Sequence, residues 1–348
     1  MTRRALAAAL LAVALGLFPL AAAAQSRFTD DGGRSVTLPP RIERVMPAGP
    51  PATTDLLIVA PEKLIGLTRA LTPEEAAFFP AAVRSLPGLG RLTGRGNTVN
   101  LESVVKAAPD LIVDLGYVGD TFVSLADRVQ EQTHIPYVLI GGRIGETPET
   151  LRKLGTVLGT PARAEALAHY AEATLALVKE RIAAVPPDRR PSIYIARGAR
   201  GLETGVAGSI NSEALELVGA RNVATPDLGA RGLATVSMEQ LLSWQPDVVI
   251  VVDPGFYDAV WQDPLWQKLA AVQAKRVYHA PSLPFGWIDE PPAANRLIGL
   301  RWLGQILYPS LFPEDIRAEA RRFYALFYQQ EPSDAQLDAL LAGAVPAR

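Results

Sequence analysis

Asn100-Leu-Glu-Ser-Val-Val-Lys-Ala-Ala-Pro-Asp-Leu-Ile-Val113 returns as Ser237-Met-Glu-Gln-Leu-Leu-Ser-Trp-Gln-Pro-Asp-Val-Val-Ile250, every position displaced by the same 137 residues (100 to 237, 113 to 250). Asn100 and Ser237 suit a helix N-cap, because a short side-chain oxygen can accept from the free amides of the first turn. Ser237 with Gln240 also fits a capping box. Leu101, Val104 and Val105, like Met238, Leu241 and Leu242, recur at helical spacing and give each helix one buried face. Pro109 and Pro246 stop the helices. The apolar runs at 111–113 and 248–252 then have the unbroken hydrophobicity of strands buried on both faces. Each copy is a helix-turn-strand unit, so the chain is expected to be α/β with two similar lobes.

Working outward, residues 42–46, 64–67 and 137–140 are predicted strands of the first lobe, and 193–196 and 276–279 of the second. Between the lobes, residues 161–185 are rich in Ala, Leu, Glu, Lys and Arg, with no Gly or Pro after Pro161. Pro161 suits a first helical turn, and Pro186-Pro187 ends the run. One helix about 36 Å long is expected there, enough to run along both lobes. Residues 295–307, 313 onward and 333–342 are expected to form helices packed on the second lobe. The expected organisation is a signal peptide at 1–24, a first lobe at 25–148, a helical connection at 149–185, a second lobe at 186–290, and C-terminal helices at 291–348.

The signal peptide is read from Arg3-Arg4, an Ala/Leu-rich run over 5–20, and Ala22-Ala23-Ala24 before Gln25. With no cysteine in the chain, neither lipid attachment nor a disulfide nor a thiolate site is available. A soluble periplasmic protein is expected. The formal net charge of -2 gives no sign of the basic face that nucleic-acid binding usually needs, and no nucleic-acid partner is expected.

In open α/β sheets ligands gather beyond the carboxyl ends of the strands. The residues there are 50–53, Arg69, the loop 93–97 with Arg95, Tyr117 and Arg143 in the first lobe. In the second they are Arg197, Arg200, Arg231, 253–257 with Tyr257, and 285–287 with Trp287. Arginine offers a planar fork of donors for carboxylate, phosphate or oxyanion oxygens, and aromatic rings stack on planar ligands. Arg69, Arg95, Tyr117, Arg143, Arg197, Arg231, Tyr257 and Trp287 are therefore the ligand-binding candidates, and an anionic metal complex or metal oxyanion is the expected cargo. Trp302 has the spacing of a core residue. Only three histidines are present. His134 and His169 are read as structural, while His279 ends a strand and is a candidate to line the cleft. So few nitrogen ligands disfavour a bare divalent metal.

An exported enzyme is the competing class. Asp114, Asp253 and Asp289 near strand ends offer carboxylates. However, Gly88-Leu-Gly-Arg-Leu-Thr-Gly94 lacks the dinucleotide spacing, and neither a G-x-S-x-G elbow nor an H-E-x-x-H helix is present.

Four features together resemble the class III periplasmic substrate-binding proteins of ABC importers, the helical-backbone metal receptor type. These are the opening Phe28-Thr-Asp-Asp-Gly-Gly-Arg-Ser-Val-Thr-Leu-Pro39, the duplicated Asn/Ser-x-Glu units, the long Ala-rich helix, and Pro284-Phe-Gly-Trp-Ile-Asp-Glu-Pro-Pro-Ala-Ala-Asn-Arg-Leu-Ile-Gly-Leu-Arg-Trp-Leu-Gly304. The resemblance implies two Rossmann-like lobes with mostly parallel sheets joined by one long helix. It implies a non-enzymatic monomer without a resident cofactor, and as partners a permease dimer with its ATPase subunits. The cargo it implies is a ferric siderophore or haem-like iron complex, with cobalamin or molybdate/tungstate as alternatives. It also implies that Glu102 and Glu239 dock onto permease arginines, where a carboxylate near a helix N-terminus is favoured.

Overall fold

The computed structural model describes residues 26–346 apart from 95, 97 and 231. The expected signal peptide therefore lies outside the described residues. The duplicated units form as read. Helix Leu101–Ala107 is capped by Asn100, whose Oδ1 accepts from the Ser103 N–H at 2.8 Å. Helix Met238–Trp244 is capped by Ser237, whose Oγ accepts from the Gln240 N–H at 3.1 Å. The reciprocal half of the capping box is not made, since the Gln240 side chain turns to Ser243 instead. Both helices end in a left-handed residue, Ala108 at φ 46° and Gln245 at φ 44°. The following proline disfavours the right-handed helical region for each, and the left-handed region they occupy costs a non-glycine residue about 1 kcal/mol. The repeat thus extends to its strained joint.

The strands that follow enter two parallel sheets. In the first, Leu111–Gly116 lies between Val45–Pro47 and Tyr137–Gly141, with Met46 opposite Ile112 and Val113 opposite Val138. In the second the order is Val277–His279, Val248–Val251, Ser192–Ala196, Arg221–Asn222, with Ile250 opposite both Ile195 and Tyr278. An opening hairpin, Ser26–Thr29 with Ser35–Leu38, docks on the first sheet through buried Asp30, whose Oδ2 accepts from the Leu139 N–H. A second antiparallel ribbon, Glu203–Gly205 with Leu233–Thr235, decorates the second lobe.

Two strand expectations are corrected. The strand expected at 42–46 is shifted to Val45–Pro47, because the Glu43 and Arg44 amides donate to Asp110 rather than to a ladder. The segment 64–67 makes only isolated bridges, from Leu64 to Val45 and from Leu67 to Gly88. At Gly66 the chain passes so close to Leu89 and the Pro87 carbonyl that any Cβ would clash.

The connecting helix runs Pro161–Ala183 and packs along Thr147–Leu158 and Arg296–Leu307. The C-terminal helices Arg296–Leu307, Ile316–Phe327 and Asp334–Leu340 were expected on the second lobe, but they also contact the first. Phe78 meets Tyr324 edge-on at 5.4 Å, Phe79 meets Tyr328 at 5.3 Å, and the Ala294 N–H donates to Asp55 at 3.0 Å. The buried aromatic face of Ile316–Phe327 reaches both Phe78 and the connecting helix's Tyr170. One continuous apolar core consequently links both lobes and the connecting helix.

Candidate functional site

Each sheet presents its carboxyl edge to a set of loops. At the first, the chain leaves Val45–Pro47 and enters helix Pro50–Val59 through Gly49, where a Cβ would lie 2.4 Å from Thr93 Oγ1. Only glycine permits that approach. Thr93 in turn donates to Asp114 Oδ1 at 2.9 Å, and the Tyr137 hydroxyl donates to Asp114 Oδ2 at 3.1 Å. Burial pushes the Asp114 carboxyl up to about 6, against the pull of the Thr93, Tyr137 and Leu115 donors. This buried cluster fixes the loop 92–94 against the strand end.

The loop 142–144 after Tyr137–Gly141 meets the second lobe. Arg143 donates to Glu213 Oε1, and the Ile144 N–H donates to Glu213 Oε2 at 3.1 Å. Arg296, buried at the start of its helix, donates to Glu213 Oε2 at 3.1 Å, to the Ile210 carbonyl at 3.0 Å, and to the Gly142 carbonyl at 2.5 Å. Glu213 and Arg296 therefore staple the first-lobe loop to the second lobe at the sheet edges.

On the second lobe Arg197 follows strand Ser192–Ala196. It is 8% exposed, and pairs with Asp289 and, at 2.5 Å, with Glu290. Asn211 donates to the other Asp289 oxygen at 2.8 Å. Burial disfavours the Arg197 charge, but Asp289, Glu290 and Glu203 more than restore it and hold its pKa above the ordinary value.

The remaining candidates fall into place as follows. Arg69 is exposed and held by Glu75, whose Oε2 also closes the Thr72 capping box. Tyr117 is 64% exposed at the end of Leu111–Gly116, its ring edge-on to Phe122. Tyr257 is engaged by Trp261 and His279 rings and by Gly343. His279 lies tilted against Tyr257, ring centres 5.4 Å apart, and burial lowers its pKa. Arg95 and Arg231 lie outside the described residues. Trp287 is a correction: it is fully buried, donates its indole N–H to the Tyr324 hydroxyl at 3.1 Å, and packs edge-on to Trp302. An indole with its one donor satisfied inside a core has nothing left to offer a ligand. Trp302 is core as expected.

The three carboxylates of the enzyme reading do not converge on one site, although Asp253 and Asp289 both lie near Glu290. Asp114 is committed in the first lobe as described, Asp253 caps helix Pro254–Val260 through the Phe256 N–H at 2.9 Å, and Asp289 serves Arg197. Among the described residues no group of three or more His, Asp or Glu could hold a metal ion. A hollow of about 440 Å³ lies on the opposite, amino edge of the first sheet, lined by Phe28, Arg41, Ile42, Lys63 and Leu158.

Glu213, Arg296 and Glu290 were not singled out in the sequence. The available signals were Arg296 amid apolar neighbours and Glu290 inside the quoted C-terminal motif; Glu213 carried none.

Comparison with known proteins gives a consistent result. The family described as periplasmic binding protein matches residues 81–283. An ABC transporter solute binding protein from Sulfurospirillum deleyianum is 32% identical, with a TM-score of 0.83 over 91% of this chain and 99% of its own. The molybdate-binding protein MolA of Haemophilus influenzae is 26% identical over 347 residues, covering 92% of this chain and 95% of that protein. A periplasmic solute binding protein from Veillonella parvula, 24% identical with a TM-score of 0.72 over 92% of this chain and 97% of its own, shares the fold.

Proposed function

Because the chain belongs to the periplasmic binding protein family, we propose that it captures a small metal oxyanion of the molybdate or tungstate class between its lobes and delivers it to a membrane permease. It is the periplasmic binding protein of an ABC importer. Its relatives are solute-binding proteins rather than enzymes, and the family implies a periplasmic location.

The observation that carries the capture reading is the pair of sheet edges, each ending in an arginine, joined by the Glu213–Arg296 staple. Arg143 and Arg197 offer the forked donors that match oxyanion oxygens. The cargo class is supported by the molybdate-binding relative, which aligns over nearly the whole chain. An iron complex, placed first from the sequence, becomes the second reading. The observation favouring it is the exposed Tyr117 ring, suited to stacking on a planar or aryl ligand.

Delivery is assigned to Glu102 and Glu239. Both are exposed, both occupy the second position of equivalent helices, and each lies on a different lobe. One acidic anchor per lobe would let permease arginines read the separation of the lobes. The shared core disfavours a wide opening, so the expected ligand-driven closure is small.

The test is a thermal-shift panel of molybdate, tungstate, sulfate, ferric siderophores, haemin and cobalamin. A true cargo at about 100 times its Kd adds about 2.7 kcal/mol, which for a chain of this size is roughly 4 °C. A shift with the oxyanions alone supports the proposal. A shift confined to iron complexes replaces it with the second reading.

A further inference from the structure

Three described arginines at the sheet edges or near them each carry a carboxylate partner, and the partners differ in how they are held. Glu75, on Arg69, also accepts from the Thr72 N–H at 2.9 Å. Glu213, on Arg143, also accepts from Ile144 and Arg296. Asp289, on Arg197, also accepts from Asn211. Glu290 has no such second tether. Its carboxylate meets Arg197 Nη2 at 2.5 Å, its side chain is 45% exposed, and no other donor among the described residues reaches it.

Arg197 itself is over nine-tenths buried. Its Nε has no hydrogen-bond partner, since Glu203 at 3.9 Å is beyond range. One guanidinium charge therefore faces three carboxylates, Asp289, Glu290 and Glu203, and its buried Nε makes no hydrogen bond. The groups facing Glu290 are Arg197 from the strand end, Asp289 from its own loop, Asp253 from the cap of Pro254–Val260, and Glu203 from the ribbon. Burial raises the Glu290 carboxyl, Arg197 opposes the rise, and the three neighbouring acids reinforce it.

We propose that Glu290 is a displaceable occupant of an anion subsite on Arg197, a built-in carboxylate that the cargo must push aside and that thereby sets the binding affinity. The inference rests on the oxyanion reading of the cargo. A tetrahedral anion presents two oxygens to the guanidinium edge, where Glu290 presents one, so bidentate pairing favours the cargo. The Glu290 side chain is 45% exposed, so the displaced carboxylate has water to turn into. Asp289 stays, because Asn211 and Arg197 both hold it, and it keeps the guanidinium oriented. The sign of the pH dependence follows. Protonating Glu290 removes the competitor, so binding tightens as pH falls toward its raised carboxyl and weakens as pH rises above it.

The experiment is calorimetric titration of the full chain and of Glu290→Gln and Glu290→Ala with molybdate, tungstate and sulfate from pH 5.5 to 8, with thermal melts to establish that each variant is folded. The expected result is binding about tenfold tighter in both variants, the size of one competing charge-assisted hydrogen bond, and a flattened pH dependence. Weaker or unchanged binding in folded variants, with the wild type binding normally, would overturn the role of Glu290 and leave the cargo reading intact. Silence of wild type and variants toward all three anions would overturn both. A wild type that is silent while Glu290→Gln binds would mean that the carboxylate blocks the subsite outright, as proposed in its strongest form.

Discussion

Replacing Glu213 by Ala removes the acceptor that the two lobes share. In the folded protein the Arg296 side chain is 1% and that of Glu213 8% exposed, and Arg296 lies 3.1 Å from Glu213. Burial disfavours the Arg296 charge, and Glu213 is the first group to offset that. Breaking a buried pair by deleting one partner costs about 3–5 kcal/mol, and the orphaned Ile144 N–H adds about 1 kcal/mol. Arg296 keeps its bonds to the Gly142, Ile210 and Ala293 carbonyls, which limits the loss. About 4 kcal/mol is the expected sum. With an unfolding entropy of about 2 cal/mol/K per residue, this lowers Tm by about 6 °C. The assay is differential scanning calorimetry of the wild type, Glu213→Ala, Arg296→Met and the double variant. The double variant should recover a large part of the loss, because an apolar side chain tolerates the site without a counter-ion. A drop below about 1.5 °C in Glu213→Ala, or a double variant equal to the sum of the singles, would show that no buried staple joins the lobes.

Three further outcomes are expected. Charge reversal at both anchors, Glu102→Lys with Glu239→Lys, should reduce cellular uptake at least about tenfold while calorimetric affinity stays unchanged; a large affinity loss would exclude a pure docking role. Burial raises Asp55 to about 6 in the folded protein, so the stability its proton contributes is complete below the unfolded value and is lost as pH rises through about 6. Asp55→Asn keeps an acceptor for Ala294, and should shrink the fall in stability between pH 5 and 7.5 by about 1 kcal/mol, or ~2 °C; identical pH profiles would refute this. Gly299→Ala would place a Cβ 1.8 Å from the Trp287 carbonyl, and should lower Tm by about 4 °C, from about 3 kcal/mol of overpacking, which an unchanged melt would contradict.

The sequence by itself determined the α/β class, the twofold repeat, the caps at Asn100 and Ser237, the start of the connecting helix at Pro161, and the arginines at the strand ends. These depend on period, capping chemistry and proline, which act between residues close in the chain. Tertiary structure alone decided which arginines are already answered by acids. Arg143 meets Glu213 across 70 residues and Arg197 meets Asp289 across 92, and no local pattern encodes either pairing. It also decided that Trp287 belongs to the core, since a tryptophan in a glycine-containing loop reads the same whether it faces a ligand or, as here, the Tyr324 hydroxyl. The same holds for the terminal helices. Their amphipathic spacing shows that a face must be buried, while the aromatic contacts from Phe78 and Phe79 determine that both lobes share in burying it. Periodicity specifies that a surface is covered; only packing in three dimensions specifies by what, because the covering residues come from anywhere along the chain.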